Sequence, residues 1–377
     1  MFRRVVTGRT VERMQKSIAC NTHMEYLQPP NNDNNCCRPG RGPIFVVGTP
    51  RSGTTLLALL LNAHSDIAIM GELHFFDQIL RIQKWVPSLA TDADLDNFSS
   101  HIRRTYAFQF LPYGEDLLSA TLQRLRRDGE TTYERFYQYA LDEFARRERV
   151  WVPGEKSPSN LRYIDHIMRI FPNAKIVHIV RDPRAVAASL SRMPWASFGV
   201  LVNALKWKLD ILGTRQYRDC HTYREIQYEE LVSQPRSSLK KLCEFLEVPY
   251  ADKMLEYHKT QAAYIKSEPW KDGTRQPISK TNVAAWRQQL SVTQIHMIQF
   301  VTRHQMNDYG YDPVEIPART KIALPFSLFV EILRYLSFKV KQRQLRATDN
   351  PSVQYFGESR TLWIGVLRAL FRFHFWQ

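Results

Sequence analysis

Cysteine is scarce and poorly placed for cross-linking. Five occur in 377 residues, at Cys20, Cys36, Cys37, Cys220 and Cys243. An odd count with three near the N-terminus does not make a disulfide framework, and a reducing compartment is the simpler reading. Cys36 and Cys37 have no second Cys/His pair at metal spacing, so no zinc site is expected. No run of about 18 uncharged apolar residues occurs, so no spanning helix is expected. No apolar stretch follows Met1-Phe2-Arg3-Arg4, so no signal peptide is read. A transit peptide would suit those arginines, but Glu12 and Glu25 argue against one. Internal repeats are lacking, and nothing resembles a zinc finger, a helix-turn-helix or an RNA-reading motif, so nucleic acid is not an expected partner. The expected location is the cytoplasm.

Acidic residues are outnumbered, 37 against 52 Lys and Arg, which gives a formal net charge of +15. With no nucleic-acid motif, that excess points to anionic small molecules or an anionic membrane surface. The rest of the composition, 44% hydrophobic and 24% charged, is that of a globular chain. Residues 1–43 read as a loosely ordered arm, because the stretch from Gln28 to Gly42 is turn chemistry without periodicity. Ile44-Phe45-Val46-Val47 reads as a buried strand that stops at Gly48, and Thr54 to Asn62 as the helix after it. Lys175 to Val180 and Tyr223 to Gln227 are two more strands, each feeding a helix opened near a proline. Long helical patterns between strands predict an α/β fold of the P-loop type, with a central parallel sheet between helical layers over 44–313. Residues 73–150 read as a helical insertion on the acceptor side, including Asp116 to Arg127 and Tyr133 to Arg149. Residues 314–377, with ten Lys/Arg against four Asp/Glu, read as a basic tail. Its amphipathic stretches, Pro325 to Lys341 and Thr361 to Trp376, either pack on the domain or contact an anionic membrane peripherally.

The segment Gly48-Thr49-Pro50-Arg51-Ser52-Gly53-Thr54-Thr55 sits between strand and helix, where a phosphate-binding loop belongs. Backbone N–H groups of such a loop converge on an anion, and the helix start adds a favourable dipole. The Gly48-x4-Gly53 spacing fits a nucleoside triphosphatase, but Thr54 stands where that loop needs lysine to hold a triphosphate with Mg²⁺. The cation, Arg51, is instead inside the loop, where it can clamp an anionic group alongside the hydroxyls. The plain alternative is a glycine turn feeding a helix. A second constellation is Arg181 at a strand end, followed by Asp182-Pro183-Arg184 and, about two helical turns on, Ser189. Arg181 and Ser189 could grip one phosphate together. Otherwise Asp182 caps the helix while Arg181 pairs with a carboxylate, or Asp182 binds a metal as in a kinase.

TPRSGTT (Thr49 to Thr55) resembles the 5′-phosphosulfate loop of sulfotransferases that use 3′-phosphoadenosine 5′-phosphosulfate (PAPS). PNAKIVHIVRDPRAVAASL (Pro172 to Leu190) resembles their 3′-phosphate strand and helix. The likeness is to the tyrosylprotein sulfotransferases and bacterial relatives, with Pro183 in place of their glycine. Ile226 to Val232 and Gln276 to Ser279, followed by Trp286, resemble later segments of that family, so the likeness spans about 44 to 312. It implies that Pro50, Arg51, Ser52, Gly53, Thr54 and Thr55 hold the 5′-phosphosulfate. Arg181 and Ser189 would hold the 3′-phosphate with Tyr228 near it, and a loop from Trp270 to Ser279 would cover the nucleotide. A family lysine before that tryptophan is Ala285 here, so its contact is lost or comes from Arg275 or Lys280.

Sulfuryl transfer is an in-line displacement that needs a base for the acceptor and a cation for the leaving oxygen, and no metal is required. The resemblance puts the base at Glu72 in Met70-Gly71-Glu72-Leu73-His74, with His74 and His64 as rivals. It puts the cation at Lys156 in Gly154-Glu155-Lys156-Ser157-Pro158, assisted by Arg51. The bland readings are a solvated glutamate at a helix start and a loop lysine paired with Glu155. The expected products are PAP (3′-phosphoadenosine 5′-phosphate) and a sulfated hydroxyl or amine. A protein tyrosine, a glycan, a lipid and a small metabolite all remain open as acceptor, and so does oligomeric state. The competing functions are a P-loop kinase or nucleotidase, and a non-catalytic PAP-binding scaffold at a membrane.

Overall fold

Ile44, Phe45, Val46 and Val47 are all fully buried, which is possible only in a strand covered on both faces. In the computed structural model, which describes residues 41–105, 108, 111–193, 199–259 and 276–346, they form β1 (Ile44–Val47) at the centre of a five-stranded sheet. The other strands are β2 (Ile67–Met70), β3 (Val152–Lys156), β4 (Lys175–Val180) and β5 (Tyr223–Gln227). The order is β2-β3-β1-β4-β5 and every pairing is parallel. β1 therefore sits where the winding changes direction, and the carboxyl ends of β1 and its neighbours open onto one crevice.

Strand alternation assigns the two faces. Phe45 and Val47 join a cluster with α2 (Asp92–Arg103), α3 (Gly114–Asp128) and α4 (Tyr133–Glu148). Ile44 and Val46 face a helix that follows β1 directly, Thr54–Asn62, together with two helices after β5, Tyr228–Ser233 and Pro235–Leu246. In chain order we call Thr54–Asn62 α1, Ile164–Ile170 α5, Pro183–Leu190 α6, Val200–Thr214 α7, and the pair after β5 α8 and α9. The remaining helices are α10 (Trp286–Gln289), α11 (Val292–Asp308), α12 (Ala318–Ile322) and α13 (Leu324–Arg346). α6, α7, α11 and α13 share a further apolar cluster beside the sheet. The fold is α/β as the sequence suggested.

Two features differ from the sequence reading. β3 is not among the strands read from the sequence: its Val152-Pro153-Gly154-Glu155-Lys156 lies between β1 and β2 and is buried throughout. Gly154 is required there, because a Cβ would fall 2.4 Å from the Ile44 carbonyl oxygen. Pro153 precedes Gly154, the partner of β1's first residue, so its missing donor falls ahead of that ladder. The stretch 73–150 contributes three long helices, and side chains from all three join the cluster that covers Phe45 and Val47, so they form a layer of the sheet's own core. Among the described residues no helix is long and apolar enough to cross a membrane. The arm up to residue 40, the part 270–275 of the covering loop with Arg275, and the stretch 361–376 lie outside the described residues.

Candidate active site

The loop after β1 reverses direction at two left-handed residues, Arg51 (φ 74°) and Gly53 (φ 106°), before α1 begins. Gly53 is needed twice over: a Cβ there would be strained, and it would lie 2.6 Å from the Tyr228 ring. Thr49 anchors the loop's first half by donating its hydroxyl to Asp210 Oδ2 of α7 at 2.9 Å. Ser52 is fully buried, and its N–H returns to the Thr49 carbonyl at 3.0 Å.

The two anion-binding constellations, 130 residues apart, meet. Arg51 Nε donates to Ser189 Oγ at 3.1 Å. Arg181 Nη1 donates to the Arg51 carbonyl at 3.2 Å and Nη2 to the Asn282 carbonyl at 2.8 Å. The Arg181 guanidinium lies over the Tyr228 ring, 4.1 Å from its centroid. Asp182 caps α6, accepting the Arg184 N–H at 2.8 Å, and it also takes the Arg184 guanidinium at 2.7 Å. Arg184 thus occupies the carboxylate considered above as a metal ligand.

Arg51, Arg181, Ser189, Tyr228 and Asn282 border a cavity of about 530 Å³. Arg51, Arg181 and Arg192 line it and, among the described residues, no carboxylate does. Burial, then the fields of Arg181 and Arg192, push the Arg51 guanidinium below its ordinary pKa, against a partial counter-pull from Glu72. A wall of crowded cations without acids is a site shaped for a polyanion. Gly53, Thr54, Thr55, Ser189, Tyr228 and Ser279 also border it, whereas Pro50 and Ser52 do not. Ala285, at the position of the absent lysine, is on the wall, and Lys280 is not. Arg192 was not singled out in the sequence. Its signal was present, since it follows Ser189 by three residues, the spacing that puts two side chains on one helical face.

β2 and β3 bring together the base and cation candidates Glu72, His74 and Lys156, none of which lines that cavity. Lys156, fully buried at the end of β3, is ion-paired and hydrogen-bonded through Nζ to Glu72 Oε1. His74 Nε2 lies 3.1 Å from Glu72 Oε2. Base and cation candidates are therefore one contact pair. Glu155 does not pair with Lys156, because alternation sends it to the other face, opposite Phe45 while Lys156 is opposite Val46. There it accepts from Tyr137 Oη, Ser157 Oγ, Asn160 Nδ2 (3.3 Å) and the Leu73 N–H (3.2 Å). Ser157 Oγ accepts the His74 N–H at 3.3 Å. The two peptide groups after Glu72 are thus tied to the strand that carries Lys156. Burial raises the Glu155 pKa, against the donors that surround it. His64, the other rival base, is at the far end of β2, with Nε2 on the Pro249 carbonyl at 2.7 Å and Nδ1 accepting the Asp66 N–H at 3.0 Å.

Residues 43–252 match the family model described as "Sulfotransferase family". The chain is 29% identical over 263 residues to an uncharacterized protein of Aquifex aeolicus, covering 66% of this chain and 31% of that one. It is 25% identical over 289 residues to a protein-tyrosine sulfotransferase of Drosophila melanogaster, covering 73% and 52%. The match thus spans about a third to a half of the length of those relatives. Among solved structures, the sulfotransferase domain from the curacin biosynthetic pathway has the same fold, with a TM-score of 0.50 at 21% identity over 74% of this chain and 99% of that one. A family match over more than half of its residues, on a sheet whose carboxyl edge carries this loop and these arginines, establishes that the chain belongs to the sulfotransferase family.

Proposed function

We propose that the chain transfers the sulfuryl group of PAPS to a hydroxyl or amine acceptor and releases PAP. One observation carries the reading: a cavity lined by three arginines and, among the described residues, by no carboxylate joins the loop after β1 to α6. A donor with a phosphate at one end and a phosphosulfate at the other supplies the two anions such a wall calls for. Arg51 and the backbone from Gly53 to Thr55 would hold the phosphosulfate. Arg181, Ser189 and Arg192 would hold the 3′-phosphate, with Tyr228 and Ser279 beside the nucleotide.

Glu72 is the proposed base and Lys156 the proposed partner of the leaving oxygen. The acceptor's proton passes to Glu72 as its oxygen or nitrogen forms the bond to sulfur. The bond from sulfur to the bridging oxygen breaks, and negative charge grows on PAP, where Lys156 and Arg51 offset it. The three helices over 92–148 are the proposed acceptor-side wall.

Calorimetric titration with PAP in the presence of EDTA tests the donor site. Binding should persist without divalent metal and should weaken about 10- to 100-fold in Arg51→Ala, the loss expected for charge-assisted hydrogen bonds. No binding of PAP, together with Mg²⁺-dependent binding of ATP, would instead identify a P-loop kinase.

A further inference from the structure

The outer face of α12 and α13 is apolar where a peripheral helix is normally polar. α13 already packs inward through Leu324, Leu328 and Ile332, which join the cluster formed with α7 and α11. On the opposite side Ile322, Phe326, Phe329 and Leu333 are 82%, 72%, 56% and 46% exposed. Their spacing of four, three and four residues places them in one stripe along the helical surface. A helix with apolar residues on both sides is one whose second face meets something other than water.

Charge decides among the occupants. The exposed Arg319 and Lys321 stand at the start of the stripe. From Pro317 to Arg346 the only acidic residue is Glu331, and it is 5% exposed, turned against Gly199, where a Cβ would collide with its carboxylate. The outer face therefore presents apolar and cationic groups with no acid among them. A second copy would set one chain of net charge +15 against another. The chain's own residues 347–377 add three Lys/Arg and two Asp/Glu, so they bring no surplus of acid to meet those cations. An anionic lipid surface offers acyl chains to the stripe and phosphates to the cations, and an interfacial helix combines large apolar side chains and Arg/Lys in this way.

We propose that the outer face of α12 and α13 is a docking surface for an anionic lipid bilayer, on which the helix lies without crossing. The proposal is independent of the transfer reaction. The test is co-sedimentation of the full chain with vesicles of phosphatidylcholine containing about a third phosphatidylglycerol, compared with phosphatidylcholine alone. The wild-type chain should bind the anionic vesicles, with at least about tenfold weaker binding to the neutral ones. Phe326→Ser with Phe329→Ser leaves the charge untouched and should weaken anionic binding about tenfold or more. Arg319→Gln with Lys321→Gln should weaken it about fivefold for each charge removed. PAP-induced thermal stabilisation, unchanged in both variants, shows that they fold. Binding of the double serine variant equal to wild type would overturn the proposal, because net charge alone would then account for adhesion. So would failure of the wild type to bind anionic vesicles. A dimer in light scattering that the double serine variant converts to monomer would also overturn it, since a second copy would then cover the face.

Discussion

Glu72 and Lys156 reach one contact from positions 84 residues apart. Their separate jobs in the proposed reaction make their variants distinguishable. Glu72→Gln keeps the shape and removes the base, so kcat should fall about 10²- to 10⁴-fold while PAP affinity stays unchanged in calorimetry. His74→Ala removes a neighbour of Glu72 and should reduce kcat less. An equal or larger effect of His74→Ala would transfer the role of base to the histidine. Gly53→Ala forces a side chain into φ 106° and against Tyr228, so PAP affinity should fall at least about tenfold. The loop, Arg181, Ser189 and Tyr228 were legible because anion grips have recognisable residue types at strand ends. Asn282 enters the cavity wall only through the fold.

Elements explain why the proposed catalytic pair was harder to read than the residues that line the cavity. β1 is a continuous apolar run and β4 is one apart from Lys175 and His178, which is how a strand buried on both faces looks. β3 is equally buried, but its last two residues are charged because its carboxyl end is where the candidate machinery sits. A strand of that composition reads as a loop, and its alternation, with Glu155 to one face and Lys156 to the other, could not be seen from the sequence. Glu155 is a positioning residue on this account, since it holds Leu73 and shares Ser157 with His74. Glu155→Ala strands several buried donors and should lower stability by about 3 kcal/mol or more. Glu155→Gln should fold and bind PAP normally, yet lose about tenfold in kcat because fewer acceptors fix the Glu72 loop. Thermal melts paired with PAP titration and turnover separate the two cases. A Gln variant with full kcat would show that the network serves folding alone.

Across the whole molecule, β4, β5 and the end of α11 are joined by a buried polar cluster around Glu225. Tyr309 Oη donates to it at 3.0 Å, Arg218 Nε lies 3.2 Å away and His178 3.7 Å away. Burial pushes the carboxyl up, but His178, Arg218 and Tyr309 outweigh that and hold it down to about 2. An unfolded glutamate titrates near about 4.3. The folded value is the lower one, so the stabilisation is complete above about pH 4.3 and is lost as pH falls from there toward 2. Its size is at most about 3 kcal/mol. Urea midpoints followed by tryptophan fluorescence should show Glu225→Gln clearly weaker than wild type at pH 6, with the gap shrunk to about a quarter of that at pH 2.5. A constant gap at both pH values would rule out this linkage.

The central claim concerns the whole chain with its donor. Incubation with PAPS labelled with ³⁵S, against a mixture of protein, glycan and organic-soluble acceptors, measures transfer without assuming the acceptor. The account predicts label in one of those fractions together with release of PAP, both abolished by Arg51→Ala and reduced at least about 100-fold by Glu72→Gln. PAP bound by the protein, with no label moved to any fraction, would contradict it.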